Sequence, residues 1–237
     1  MKRAALTLLV SAPLLASGTH AFAQAYQCRV PQGQLSVPRI APDGPARRTP
    51  VTGYTLALSW SPEFCRGREA SGAHKRQCSG RDGRFGLIVH GLWPEGTGGN
   101  WPQWCSASSP SPDTLRPHLC MMPSERMMAH EWAKHGSCMV RRPENYFKVS
   151  AILWRSLRLP DLDRLSRRKD LDAGTLRQAF AAANPGWKRE QVGLQLNHNG
   201  WLEEIRLCYG KDFMPARCDA RRYGPKDKTP VKIWRGL

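Results

Sequence analysis

No apolar stretch in this chain approaches the roughly 20 residues that a membrane-spanning helix needs. No two of its cysteines stand in C-x-x-C spacing, and no segment repeats or falls to low complexity. The first absence points to a soluble mature protein, the second argues against structural zinc, and the third removes repeat architectures. Acidic residues are scarce as well. Nineteen Asp and Glu face 36 Lys and Arg, for a formal charge of +17. Such an excess favours a polyanion as partner, because each neutralised phosphate releases condensed counterions. On charge alone nucleic acid, acidic polysaccharide and anionic membrane stay open, beside the plainer reading of a well-solvated surface.

What is present begins with an export signal. Lys2 and Arg3 precede the mostly apolar stretch 4–15, and Ala21-Phe22-Ala23 offers an A-x-A cleavage site, so residues 1–23 read as a secretory leader. Cleavage after Ala23 starts the mature chain at Gln24, with cleavage after Ala25 a close alternative. The remaining length of about 210 residues suits one domain with a sizeable core. All eight cysteines lie beyond the leader, which in an exported chain implies four disulfides among about a hundred pairings.

The stretch 24–50 is rich in Pro and Gly and reads as an irregular N-terminal arm that Cys28 pins down. Tyr54-Thr55-Leu56-Ala57-Leu58-Ser59-Trp60 alternates with period two, the pattern of a strand with one buried face. A second strand is expected over 85–90, with His90 at its end. The segment 94–123, dense in Pro, Gly and Ser, reads as a long disulfide-braced loop, and loops of that length usually serve function. Helices are expected over 127–135, 144–159, 161–168 and 172–183, with Ile152 on the apolar side of the second. Strands at 192–196 and 201–208 flank an Asn199-Gly200 hairpin turn, and a basic tail follows. The whole reads as a single α+β domain over 51–237.

Chemistry concentrates at His130-Glu131-Trp132-Ala133-Lys134-His135-Gly136-Ser137-Cys138. The metalloprotease pattern needs two imidazoles at i and i+4, but His130 and His135 stand at i and i+5, about 140° apart around a helix. One face cannot present both to a zinc ion, so no metal is expected. Glu131 and His135 do lie one turn apart, where the carboxylate is expected to orient the imidazole and raise its pKa, with Lys134 supplying fixed positive charge. His90 precedes Gly91-Leu92-Trp93-Pro94, and Trp101 and Trp104 follow. An imidazole beside clustered indoles suits a site where bases stack, although indoles also pack cores.

Two imidazoles on different elements are what RNA cleavage without metal requires. One removes the ribose 2′-OH proton, and the oxygen attacks the adjacent phosphorus; the other protonates the leaving 5′-oxygen. Nearby cations stabilise the charge that builds on the non-bridging oxygens. DNA lacks this nucleophile.

Ile88-Val89-His90-Gly91-Leu92-Trp93-Pro94 and the stretch from His130 to Cys138 resemble the two active-site segments of the T2 family of ribonucleases. A weaker resemblance runs from about Tyr54 to Cys218, through Asn145-Tyr146-Phe147 and Leu202-Glu203-Glu204-Ile205-Arg206-Leu207-Cys208. It implies an antiparallel sheet flanked by helices and an endoribonuclease acting on single-stranded RNA through a 2′,3′-cyclic phosphate, with no cofactor. It also implies an acid–base pair of His90, the acid, and His135, the base. His130 would bind phosphate, and Glu131 and Lys134 would support the transition state. Trp93, Trp101 and Glu95 would meet the base, Glu95 standing where some members carry an aspartate. The implied bridges are Cys105 with Cys138, Cys65 with Cys78 and Cys208 with Cys218, leaving Cys28 with Cys120. A secreted or periplasmic monomer without stable membrane association is expected. The competing class is an exported polyanion-binding, antimicrobial-type protein that keeps the fold without turnover.

Overall fold

The computed structural model describes residues 25–236, so the expected leader lies outside the described residues. Its six strands are β1 (Ala25–Tyr26), β2 (Gly53–Trp60), β3 (Arg84–Phe85), β4 (Leu87–Glu95), β5 (Val192–Leu196) and β6 (Leu202–Tyr209). β1 pairs with β3 in a small ribbon, while the others form one antiparallel sheet in the order β4-β2-β6-β5. Four short helices, α1 (Ser61–Cys65), α2 (Lys75–Cys78), α3 (Pro112–Leu115) and α6 (Leu162–Ser166), punctuate the loops. The longer ones are α4 (Glu125–Lys134), α5 (Pro143–Ser156) and α7 (Ala173–Ala183), and α8 (Ala220–Tyr223) lies in the tail. Among the described residues, no helix is long and apolar enough to cross a membrane.

Period-two alternation in β2 separates two faces. Leu56, Leu58 and Trp60 enter the core with Trp132, Tyr146, Phe147 and Phe180 from the helices. Burying each such aliphatic or aromatic side chain contributes about 1.5–3 kcal/mol. Thr55 and Ser59 point to the opposite face, where they hydrogen-bond Glu95 and Glu204. The two faces divide the work of the molecule, one for stability and one for the cleft.

The strand expected to stop at His90 continues to Glu95. Two features explain this. β4 lies at the sheet edge, where the missing N–H of Pro94 is tolerated. Its pairing with β2 also jumps from Leu58↔Val89 to Ala57↔Gly91, leaving His90 as the extra residue of a β-bulge. A one-residue insertion flips the parity of every later side chain. Leu87, Val89 and Leu92 therefore all enter the core, whereas His90, Trp93 and Glu95 all face the cleft side.

Other boundaries shift by a few residues. Helix α5 ends at Ser156, and Ile152, expected on its apolar side, is 56% exposed. The tail is integrated into the domain: Val231 and Ile233 are buried, and the Trp60 indole donates to the Trp234 carbonyl at 2.6 Å. The arm carries little regular structure but is docked, with Leu35 buried and Arg47 bridged to Gln103.

Disulfides join Cys28–Cys120, Cys65–Cys78, Cys105–Cys138 and Cys208–Cys218. The first closes the longest stretch, 92 residues, and ties the arm to the approach to α4. Such crosslinks typically stabilise by roughly 2–4 kcal/mol, more for longer loops.

Candidate active site

Helix α4 starts where Ser124 caps it, accepting from the Met127 N–H at 3.2 Å. It buries Met128, Ala129, Trp132 and Ala133 against the body. That packing swings Glu131 against β4, where a side chain at Gly91 would place its Cβ 2.0 Å from Glu131 Oε2. Gly91 is therefore required for the approach of helix to strand. Glu131 accepts from the Trp93 indole at 2.7 Å, and its other oxygen stands 3.7 Å from His90 Nε2. The carboxylate thus serves His90 and Trp93, contrary to the expectation that it orients His135.

His135 is the C-cap of α4. Gly136 follows because a Cβ there would lie 2.7 Å from the Tyr146 ring, so the chain turns tightly against α5. The Tyr146 hydroxyl accepts from the Leu92 N–H at 3.0 Å, locking α5 to β4 beside the bulge. The loop to Cys105 closes the other side: Trp104 N–H donates to the Lys134 carbonyl at 2.9 Å, and the Cys105–Cys138 bridge holds the two segments together.

The two imidazoles flank one indole. Ring centroids of His90 and Trp93 are 5.3 Å apart, and those of Trp93 and His135 are 5.7 Å apart. Their surroundings differ in sign. Burial alone would lower His90, but a 2.5 Å hydrogen bond from Nδ1 to Glu204 and the charges of Glu131 and Glu204 outweigh it and push the pKa up to about 9. Burial also dominates at His135, and there the charges of Lys134, His130 and His90 act in the same direction, bringing it down to about 3. The pKa rise expected at His135 is thus reversed, because its carboxylate neighbour is turned elsewhere. Among the described residues, His135 Nδ1 is buried without a hydrogen-bond partner.

This geometry coincides with a match to the Ribonuclease T2 family over residues 52–218. The chain belongs to the ribonuclease T2 family. Membership places it among the endoribonucleases. A probable ribonuclease of Haemophilus influenzae is 32% identical over 190 residues, covering 75% of this chain and 65% of that protein. A ribonuclease of Aeromonas hydrophila is 30% identical over 164 residues, 67% of this chain and 72% of its own length. Trichomaglin, a solved S-like ribonuclease, is 25% identical and superposes with a TM-score of 0.59 over 72% of this chain and 92% of its own.

The candidate site opens as two cavities. His135, Lys134, Trp93, Trp101 and Glu95 line one of about 250 Å³, together with Arg206 and Arg221. His90, Ser59, Glu204 and Arg66 line a second of about 480 Å³. His130 lines neither. It packs edge-on against Trp104 with ring centroids 5.5 Å apart, and burial followed by the Lys134 charge lowers its pKa. Lys134 Nζ is held 2.8 Å from Asp43 of the arm, whose carboxylate also accepts from the Trp104 indole. Glu95 accepts from Thr55 at 2.6 Å and pairs with Arg221 at 3.2 Å. Trp101 carries Arg47 and Arg221 at 5.0 and 5.1 Å from its ring. Among the described residues, no cluster of three or more His, Cys, Asp or Glu is placed to hold a metal ion.

Sequence reasoning missed Glu204, Arg206, Arg221 and Asp43. Glu204 and Arg206 fall within the T2-like stretch 202–208 and alternate with core residues along β6, but neither signal assigns them to the site. Arg221 and Asp43 lie outside the matched residues 52–218, in segments that read as basic tail and irregular arm.

Proposed function

We propose that this protein is an exported endoribonuclease that cleaves single-stranded RNA by metal-independent acid–base transphosphorylation. The observation that carries the reading is the pair of imidazoles flanking one indole in environments of opposite sign. Environments that push two titratable groups apart assign acid and base. With its pKa near 9, His90 holds a proton at neutral pH; with its pKa near 3, His135 does not.

In the first step His135 takes the 2′-OH proton, the oxygen attacks phosphorus, and His90 gives its proton to the departing 5′-oxygen, leaving a 2′,3′-cyclic phosphate. In the second, water replaces the leaving group and the two imidazoles exchange roles, producing a 3′-phosphate. Lys134 faces the cavity from the base side and supplies positive charge to the pentacoordinate state. His130 adds to that charge when protonated. Glu131 stabilises the protonated form of His90 and holds Trp93 in place. Trp93 and Trp101 offer ring faces to the base, and Glu95 a carboxylate beside it. The leader at 1–23 and the four disulfides support export into an oxidising compartment, periplasmic or extracellular, where the domain 51–237 with its arm 24–50 acts as a monomer.

The test is degradation of RNA in excess EDTA, with products followed by phosphorus NMR. Full activity in EDTA with transient 2′,3′-cyclic phosphate, lost in both His90→Ala and His135→Ala, is expected. Inhibition by EDTA, or activity in both variants, overturns the mechanism. Binding without cleavage by the unmutated protein favours the polyanion-binding alternative.

A further inference from the structure

We propose that Glu204 is the positioning residue of His90, accepting a hydrogen bond from its Nδ1–H so that Nε2–H is presented to the leaving oxygen. The proposal rests on reading His90 as the acid. Strand β2 lies between β4 and β6, and Ser59 pairs with Ile88 on one side and Glu204 on the other. The carboxylate reaches across the middle strand over a small residue to the histidine at the bulge. Its Oε1 lies 2.5 Å from His90 Nδ1 and 3.4 Å from Ser59 Oγ, and Oε2 accepts from Arg206 at 3.0 Å. Glu204 is 7% exposed, so the arrangement is held by packing as well as by charge.

A bond to one ring nitrogen fixes both the tautomer and the direction of the other. Among the described residues, His90 makes one such bond, to Glu204. Glu131 stands at 3.7 Å from Nε2, outside hydrogen-bonding distance, and contributes charge without direction. The charged and titratable groups around His90 are Glu204 and Arg206 on β6, Glu131 and His130 on α4, and His135 at its cap. Arg206 opposes the proton on His90 but engages the second oxygen of Glu204. The Glu204–Arg206 pair thus lets a carboxylate stay ionised beneath the cleft while one oxygen remains for the imidazole.

The test is Glu204→Gln in the full protein, assayed on RNA and on a ribonucleoside 3′-aryl phosphodiester whose nitrophenolate leaves without a proton. Loss of acid catalysis is expected to lower kcat on RNA by about a hundredfold, with a much smaller loss on the aryl ester. The His90 titration, followed by nitrogen-15 NMR, is expected to move down from about 9. Equal losses on both substrates with an unmoved His90 titration overturn the proposal and leave Glu204 a structural residue. Glu204→Asp keeps the charge but shortens the reach, and an intermediate loss on RNA is expected; should Glu204→Gln fail to fold, this variant decides. His90→Ala separates the two claims: RNA cleavage kept there overturns the acid reading and this proposal with it, whereas cleavage lost there but kept in Glu204→Gln overturns only this proposal.

Discussion

The sheet side and the helix side of the cleft present the same side chain to one indole in opposite electrostatic settings. On the sheet, His90 faces Glu204 and Glu131; at the end of α4, His135 faces Lys134 and His130. His135 is buried and the His90 side chain is 36% exposed, but both rings lose solvent, which by itself lowers a histidine. The difference is therefore made by the charges around each ring. Equal residues acquire unequal environments from which element carries their neighbours.

The largest effect that tests this contrast is removal of either ring. His90→Ala and His135→Ala are each expected to lose about 10²–10⁴-fold in kcat on RNA. Only the first is expected to recover on an aryl ester that leaves without a proton. Recovery in His135→Ala instead would exchange the two assignments.

Next comes Glu131→Gln, which removes the charge 3.7 Å from His90 Nε2 while keeping an acceptor for the Trp93 indole. A loss of roughly tenfold is expected, within the range for electrostatic support of proton transfer. Its signature is a fall in the His90 pKa measured by NMR, and an unchanged value would show that Glu204 alone sustains that histidine.

The pH profile reads both rings together. In the free enzyme, kcat/KM is expected to fall as pH rises through about 9, where His90 loses its proton, and as pH falls through about 3, where His135 gains one. Stability follows linked signs. The His90 contribution is complete below its unfolded value of 6.5 and is lost as pH rises toward about 9. At His135 the unfolded chain binds the extra proton, so stability is lost as pH falls from 6.5 toward about 3. Thermal melts of His90→Asn and His135→Asn are expected to flatten the alkaline and acid sides respectively.

The smallest effect belongs to the arm. Asp43 is 53% exposed and pairs with Lys134, an interaction of the kind worth about 0.2–1 kcal/mol. Asp43→Asn is expected to lower KM for RNA by up to about fivefold and to steepen its salt dependence. A raised KM would mean that Asp43 holds Lys134 in place instead of competing with phosphate.

Much of the fold was legible because local rules and packing agree. The alternation in β2, the helical stretches around α4, α6 and α7, and the Asn199-Gly200 turn each report a local preference that the tertiary structure keeps. The even count of cysteines gave four bridges but not their partners. Ile152 was misread because helical periodicity marks an apolar face without saying how wide the neighbouring surface is.

By itself the sequence determined the candidates: two short motifs whose residue types and spacing suit proton transfer at a phosphate and argue against a two-histidine zinc face. Only the tertiary structure decided how those residues are divided. A one-residue bulge at His90 brings Trp93 and Glu95 onto the same side as the imidazole, packing of Trp132 and the absence of a side chain at Gly91 turn Glu131 from His135 to His90, and strand order brings Glu204 beneath the ring. The reason is physical. A pKa depends on every charge and every loss of solvent within a few ångströms, and those neighbours come from strands, arm and tail that are distant along the chain.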